Sequence, residues 1–202
     1  MKLYFSPGAC SLHPHIALRE AGLSFDLVRV DLRAHKTKDG GDYYAINPKG
    51  YVPTLELDDG TRLTEGAVID QYIADRKPES KLAPPAGTME RYRLQEWLNF
   101  IAAEVHKSFG PLFNPATPDD AKAQAKERIG KKLDIAERAL EGRSYLLGET
   151  FSVADGYLFN MIRWTEFTGI DTSPWPKLQA FAKRVSERPA VKAALEAEKA
   201  SS

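Results

Sequence analysis

Residues 51–66 read YVPTLELDDGTRLTEG, and this stretch decides how the first half of the chain folds. Asp58-Asp59-Gly60 marks a tight hairpin turn, since Asp-Gly tolerates the positive φ angles such a turn requires. The flanking runs, Tyr51–Leu57 and Thr61–Thr64, therefore read as antiparallel strands. After Glu65-Gly66, Val68, Ile69, Tyr72 and Ile73 give Ala67–Ala74 the apolar face of a helix. Pro53 cannot donate to a ladder, so the first strand keeps two readings. A trans proline can open an edge strand. Alternatively, a cis Val52-Pro53 bond can turn the Val52 N–H and C=O outward to pair with an extended peptide.

Upstream of the hairpin the pattern alternates. Lys2–Phe5 is a short strand ending at Pro7-Gly8, and Ser11 can cap a helix through Ile16, Ala17, Leu18 and Ala21 that stops at Gly22. Phe25, Leu27, Val28 and Val30 form a second, β-branched strand. A polar stretch, His35 to Asp42, leads to a helical turn at Tyr43–Ile46. The order β-α-β-(α)-β-β-α over residues 1–78 predicts an α/β domain with a mixed sheet.

A proline- and glycine-containing linker, 79–88, separates this from an all-helical part, 89–202. One long helix carries Trp97, Phe100, Ile101, Glu104 and Val105 and ends near Gly110-Pro111. Ile129, Leu133, Ala136 and Leu140 share one face of the next. Ser152-Val-Ala-Asp155 is a capping box opening a helix, Val153 to Trp164, that is apolar on most sides and so central. Pro176 and Pro189 begin two terminal helices. The tail Glu196–Ser202 is expected to fray.

Lysine plus arginine number 28 and aspartate plus glutamate 28, while 43% of the 202 residues are apolar. A sizeable core is available, with roughly 70% of the extended surface hidden on folding. Phosphate binding rests on a basic excess, so nucleic acid is not an expected partner. No apolar run is long enough for a bilayer, and MKLYFSPGA, with one lysine and a short apolar run broken at Pro7-Gly8, does not read as a secretory leader, so no membrane role is expected. Cys10, the one cysteine, permits no internal disulfide, and the cytoplasm is the expected location.

Cys10 lies where a strand hands over to a helix, and free N–H groups and the helix dipole there favour an anion. A thiol of pKa ~8.5 is about 3% ionised at pH 7, and one lowered to ~6 about 90%. Cys10 is thus either a reactive thiol or a small buried hydrophobe. Asn99, Ala103 and His106, at i, i+4 and i+7, share one helix face that offers an amide and an imidazole to a ligand, unless His106 is simply exposed. Glu65 offers an acid to a ligand's amino group and the helix start offers N–H groups to its carboxylate, unless both merely cap. His13 and His15 point apart and read as surface residues. Cys10, His13, His15, His35 and His106 lack paired ligand spacing, so no metal is expected.

Taken in register, Ser6-Pro-Gly-Ala-Cys-Ser11, Asn47-Pro-Lys-Gly-Tyr-Val-Pro53, Leu63-Thr-Glu-Gly66, Trp97-Leu-Asn-Phe-Ile101, Glu104-Val-His-Lys107 and Ser152-Val-Ala-Asp155 resemble the bacterial beta class of glutathione transferases over nearly the whole chain. The resemblance implies a thioredoxin-like first domain, glutathione as co-substrate, a small apolar electrophile as second substrate and a homodimer. It places Cys10 beside the glutathione sulfur, able to form a mixed disulfide. It places Val52 and cis-Pro53 against the cysteinyl backbone. Glu65 and Gly66 fall at the γ-glutamyl end, joined by Glu104 of a second subunit. Asn99, Ala103 and His106 would line the site near the sulfur, and Tyr157, Met161, Trp164 and Phe113 would form the electrophile pocket.

Four positions depart from the expected pattern. Phe5 replaces the usual tyrosine, so the sulfur depends more on Cys10 and His106. His35 followed by Lys36 stands where lysine at 35 is common, and either is expected to meet the glycine carboxylate. Ala103 is frequently serine. Gly156 fills the staple position, so Phe151 must pack elsewhere. The implied reaction is conjugation or reductive dehalogenation. Three alternatives stay open: thiol–disulfide exchange through Cys10, alignment of the sulfur by Ser11, and non-catalytic binding.

Overall fold

The computed structural model describes residues 1–201. Two compact units emerge, Met1–Leu82 with Glu187–Ser202, and Ala83–Ser186.

In the first unit, β1 (Lys2–Phe5), α1 (Leu12–Glu20), β2 (Asp26–Asp31), β3 (Lys36–Thr37), β4 (Thr54–Glu56), β5 (Arg62–Thr64) and α2 (Gly66–Arg76) follow in order. The sheet runs β3-β2-β1-β4-β5. Only β1 and β2 are parallel, with Leu3 opposite Leu27; β4 pairs antiparallel with β1 and β5, and Leu55 stands opposite both Leu3 and Leu63. The mixed sheet is the expected one. The short strand β3 inside the polar stretch is an addition, formed because Val30 and Asp31 find partners in Thr37 and Lys36.

Two local expectations need correction. Ser11 does not cap α1 through its side chain: its hydroxyl accepts from the Ser6 N–H (3.2 Å) and faces the Ser6 carbonyl (3.3 Å), fastening the Pro7-Gly8 turn. His13 and His15 are not surface residues but are buried, because each meets a carboxylate, Asp70 at 2.7 Å and Glu198 at 3.2 Å.

Those carboxylates also explain the terminal helix. The reading of 89–202 as a single helical part groups α8 (Pro189–Ala200) with the other helices, yet α8 packs against α1. Arg188 forks onto both oxygens of Glu20 at 2.6 and 2.8 Å, and buried Glu198 accepts from the Gly8 N–H at 3.1 Å. The chain from Glu196 to Ala200 is therefore helical rather than frayed, and Ser202 lies outside the described residues. Glu198→Ala takes the acceptor from Gly8 and His15 together, and is expected to destabilise the protein by about 2–3 kcal/mol in a urea titration, with Glu198→Gln losing less.

In the second unit, α3 (Met89–Phe100) starts at Thr88, whose hydroxyl accepts from the Arg91 N–H, and runs on as a π-helical segment, Ile101–His106. Gly110-Pro111 does not end the helical path but opens a short α4 (Gly110–Phe113). In α5 (Asp119–Ala139) the face of Ile129, Leu133 and Ala136 is buried as its spacing requires. The helix α6 (Val153–Thr168) is the central one, every residue from Val153 to Ile162 being buried. Phe151 packs edge-on to Tyr145. Buried Glu137 of α5 accepts from the N–H groups of Lys177 and Leu178, satisfying the start of α7 (Pro176–Ser186).

Candidate functional site

The junction of β1 and α1 is built by three carbonyl-centred contacts. The Cys10 thiol donates to the Val52 carbonyl at 3.1 Å, and the Val52-Pro53 bond is cis. Tyr43 hydroxyl and Asn47 Nδ2 both donate to the preceding carbonyl, Tyr51, at 2.9 and 2.7 Å. Tyr43 is fully buried and also meets Thr54 Oγ1 at 2.8 Å, so the segment entering β4 is pinned from beneath.

Of the two readings of Cys10, the surroundings of the thiol favour the unionised one. Burial pushes the Cys10 thiol up to about 12, and the charges of Glu65 and Glu198 push the same way; the N–H groups of Cys10 and Ser11 oppose them but do not prevail. Desolvation disfavours the charged form more than a helix start favours it. In this structure the Cys10 thiol acts as a hydrogen-bond donor, to the Val52 carbonyl.

At the other end of the hairpin, Glu65 sits at the start of α2 with φ 66, the left-handed region, and makes no side-chain cap. Its carboxylate accepts from Lys49 Nζ at 2.7 Å, and the same ammonium reaches Thr64 Oγ1 at 3.0 Å. Gly66 is required, because a Cβ there would collide with the His13 ring. His35, also left-handed (φ 51), stacks on Tyr44 with ring centroids 4.4 Å apart. Both rings crowd Gly50, and His35 Nδ1 is buried with no hydrogen-bond partner among the described residues. Lys36 is exposed in β3.

The helical unit gathers a separate aromatic group. His106 Nδ1 lies 2.7 Å from the Tyr157 hydroxyl, and its ring meets Trp164 edge-on at 4.9 Å. Trp164 also receives Phe109 at 5.5 Å and Phe113 at 4.9 Å. Of the four expected pocket residues, Phe113 is exposed, whereas Tyr157, Met161 and Trp164 are buried. Asn99 and Ala103 are exposed and His106 half-buried. The face they were expected to share assumes 3.6 residues per turn, and the π-helical segment does not keep that register. Glu104 accepts from Lys132 Nζ at 2.6 Å.

Residues 8–76 match the family model "Glutathione S-transferase, N-terminal domain", and residues 100–189 match "Glutathione S-transferase, C-terminal domain". The glutathione S-transferase GstA of Escherichia coli O157:H7 is 47% identical over 198 residues, covering 98% of each chain. The chain belongs to the glutathione S-transferase family. Among solved structures, the ternary complex of BphK, a bacterial glutathione S-transferase, is 58% identical with a TM-score of 0.97, covering 98% of this chain and 100% of its own. A sphingomonad glutathione S-transferase complexed with glutathione is 51% identical, with TM-score 0.96 and coverage of 98% and 99%. The beta-class enzyme of Sphingomonas chungbukensis is 50% identical at TM-score 0.95, covering 98% of both chains.

For a glutathione S-transferase of this kind, the sequence reading missed Tyr43, Asn47 and Phe109. Asn47 lay inside a quoted motif, but its amide acts on a carbonyl four residues on, which spacing does not announce. Phe109 stands three residues after His106, a helical neighbour that the glycine and proline at 110–111 obscured. Phe5 is buried, and Tyr4, the nearby hydroxyl, donates instead to Glu56 at 3.3 Å.

Proposed function

We propose that the first unit of this glutathione S-transferase binds glutathione along Val52, cis-Pro53, Glu65 and Gly66, and that the enzyme joins its sulfur to small apolar electrophiles. The sulfur attacks an electron-poor carbon, a C–S bond forms, the leaving group departs with its electron pair, and the thiol proton passes to solvent. His35, with a buried ring nitrogen beside exposed Lys36, supports a role for this corner in holding the glycine carboxylate. In the helical unit, the exposed edge of the Phe113–Trp164–His106 group supports a seat for the apolar substrate, with Asn99 and Ala103 as solvent-facing neighbours. A cytoplasmic homodimer, with Glu104 offered to the second subunit, completes the reading.

The observation that carries the choice among mechanisms is the hydrogen bond that the Cys10 thiol donates to the Val52 carbonyl. A thiol–disulfide exchanger needs a thiolate, and Cys10 instead donates a hydrogen bond. A neutral S–H is suited to donating to a bound glutathione thiolate, and stabilising that anion is what raises the rate of attack. Ser11 is a poor candidate for the same task, because its buried hydroxyl already meets both polar groups of Ser6.

The test is retention on immobilised glutathione followed by turnover of a chlorinated dinitrobenzene. Cys10→Ala is expected to keep conjugation within about tenfold, the worth of roughly one hydrogen bond to a charged group, and to abolish formation of a protein–glutathione disulfide. Loss of conjugation in step with loss of the disulfide points to exchange through Cys10. Retention on glutathione without turnover of any electrophile points to a binding protein.

A further inference from the structure

His13 on α1 and Asp70 on α2 form a fully buried pair, Nδ1 to Oδ2 at 2.7 Å. Two ionisable groups away from water carry a desolvation cost that apolar side chains of similar volume avoid, so fold stability alone is a weak reason for their presence. Burial raises the Asp70 carboxyl, and the charge and hydrogen bond of His13 oppose that rise.

The far side of the imidazole shows what the pair does. His13 Cε1 and Nε2 occupy the volume that any side chain at position 66 would fill, and Pro53 Cγ stands at 3.6 Å from the same point. The ring is thus wedged under the first residue of α2. Directly before it, Glu65 holds a left-handed conformation that a non-glycine residue adopts only at an energetic cost, and only where its surroundings enforce it. Val68 and Ile69 are the first amides to bond back into the helix, both onto the Glu65 carbonyl. The amides of Gly66 and Ala67 precede that ladder, so their direction depends on how this turn is held.

We propose that His13 and Asp70 are positioning residues for the γ-glutamyl end of glutathione: Asp70 fixes the imidazole, and the imidazole props Gly66 so that Glu65 and the first amides of α2 keep their aim. Neither side chain touches the ligand in this arrangement. The inference rests on the glutathione reading above.

The experiment compares dissociation constants for glutathione and for the dipeptide Cys-Gly, which lacks the γ-glutamyl group, alongside steady-state KM and kcat. His13→Leu/Asp70→Leu removes the pair without leaving a lone buried charge. In it, the preference for glutathione over Cys-Gly is expected to fall about tenfold, a coupling typical of contacting residues. Cys-Gly binding and kcat should hold within about twofold. Asp70→Asn, which keeps an oxygen for His13, should retain most of the preference. His13→Gln keeps a donor for Asp70 but withdraws the ring from Gly66, so it should lose preference even if the double variant does not fold. An unchanged preference in a folded variant, or an equal weakening of both ligands, overturns the positioning role. If the unmodified protein itself fails to bind glutathione, the underlying reading falls instead, and the two failures are told apart.

Discussion

Iodoacetamide offered at pH 7.5 to the glutathione-free protein is expected to alkylate Cys10 at least about a thousandfold more slowly than a free cysteine. An unperturbed thiol near pKa 8.5 is about one-tenth thiolate at that pH, while one at about 12 is roughly three parts in a hundred thousand. Mass spectrometry of the intact chain reads the result directly, since Cys10 is the single site. Rapid modification at neutral pH would restore the anionic thiol and, with it, the exchange mechanism.

The same displacement predicts a direction in pH. The folded state holds the Cys10 proton more tightly than the unfolded chain, whose thiol titrates near 8.5. Its contribution to stability is therefore complete below about pH 8.5 and drains away as pH rises towards 12. Urea midpoints at pH 7.5 and pH 10 should fall further for the unmodified protein than for Cys10→Ala. Parallel losses in the two proteins would remove the thiol as the cause.

Asp155→Ala is expected to destabilise the protein by about 3–4 kcal/mol, or lower Tm by about 10 °C. One carboxylate at the start of the central helix accepts from the Ser152 N–H at 2.8 Å, the Ser152 hydroxyl at 2.7 Å and the Leu146 N–H at 2.8 Å, fully out of contact with water. Alanine leaves two buried backbone donors without that acceptor and opens a small void beneath α6. A helix cap alone is worth about 1 kcal/mol; the excess comes from burial and from the Leu146 bond. Asp155→Asn keeps one acceptor oxygen and should recover about half of the loss. An alanine variant melting within 3 °C of the unmodified protein would show that the surrounding turn finds other partners.

The contrast between Asp155 and His13 separates what each level of description contains. The capping box was legible because its two partners are three residues apart and the chemistry is local. The same holds for the Asp58-Asp59-Gly60 hairpin, the apolar faces of α5 and α6, the stops at Gly22 and the prolines opening α7 and α8. His13 and His15 were assigned to the surface because helical spacing gives their directions but not their partners, which lie 57 and 183 residues away. The packing of α8 against α1 was illegible for the same reason: a helix's amphipathic pattern says that one face is buried, not against what.

The amino-acid sequence on its own determined the alternation that yields a mixed sheet, the helical second half, and the family motifs at Cys10, Val52-Pro53 and Glu65-Gly66, because each depends on residues close together in the chain. Tertiary structure decided the upward shift of the Cys10 thiol, the engagement of Ser11 with Ser6 and the wedge of His13 beneath Gly66. Desolvation, the charges of Glu65 and Glu198 and steric support all depend on distances through space, and those exist only once the chain has folded.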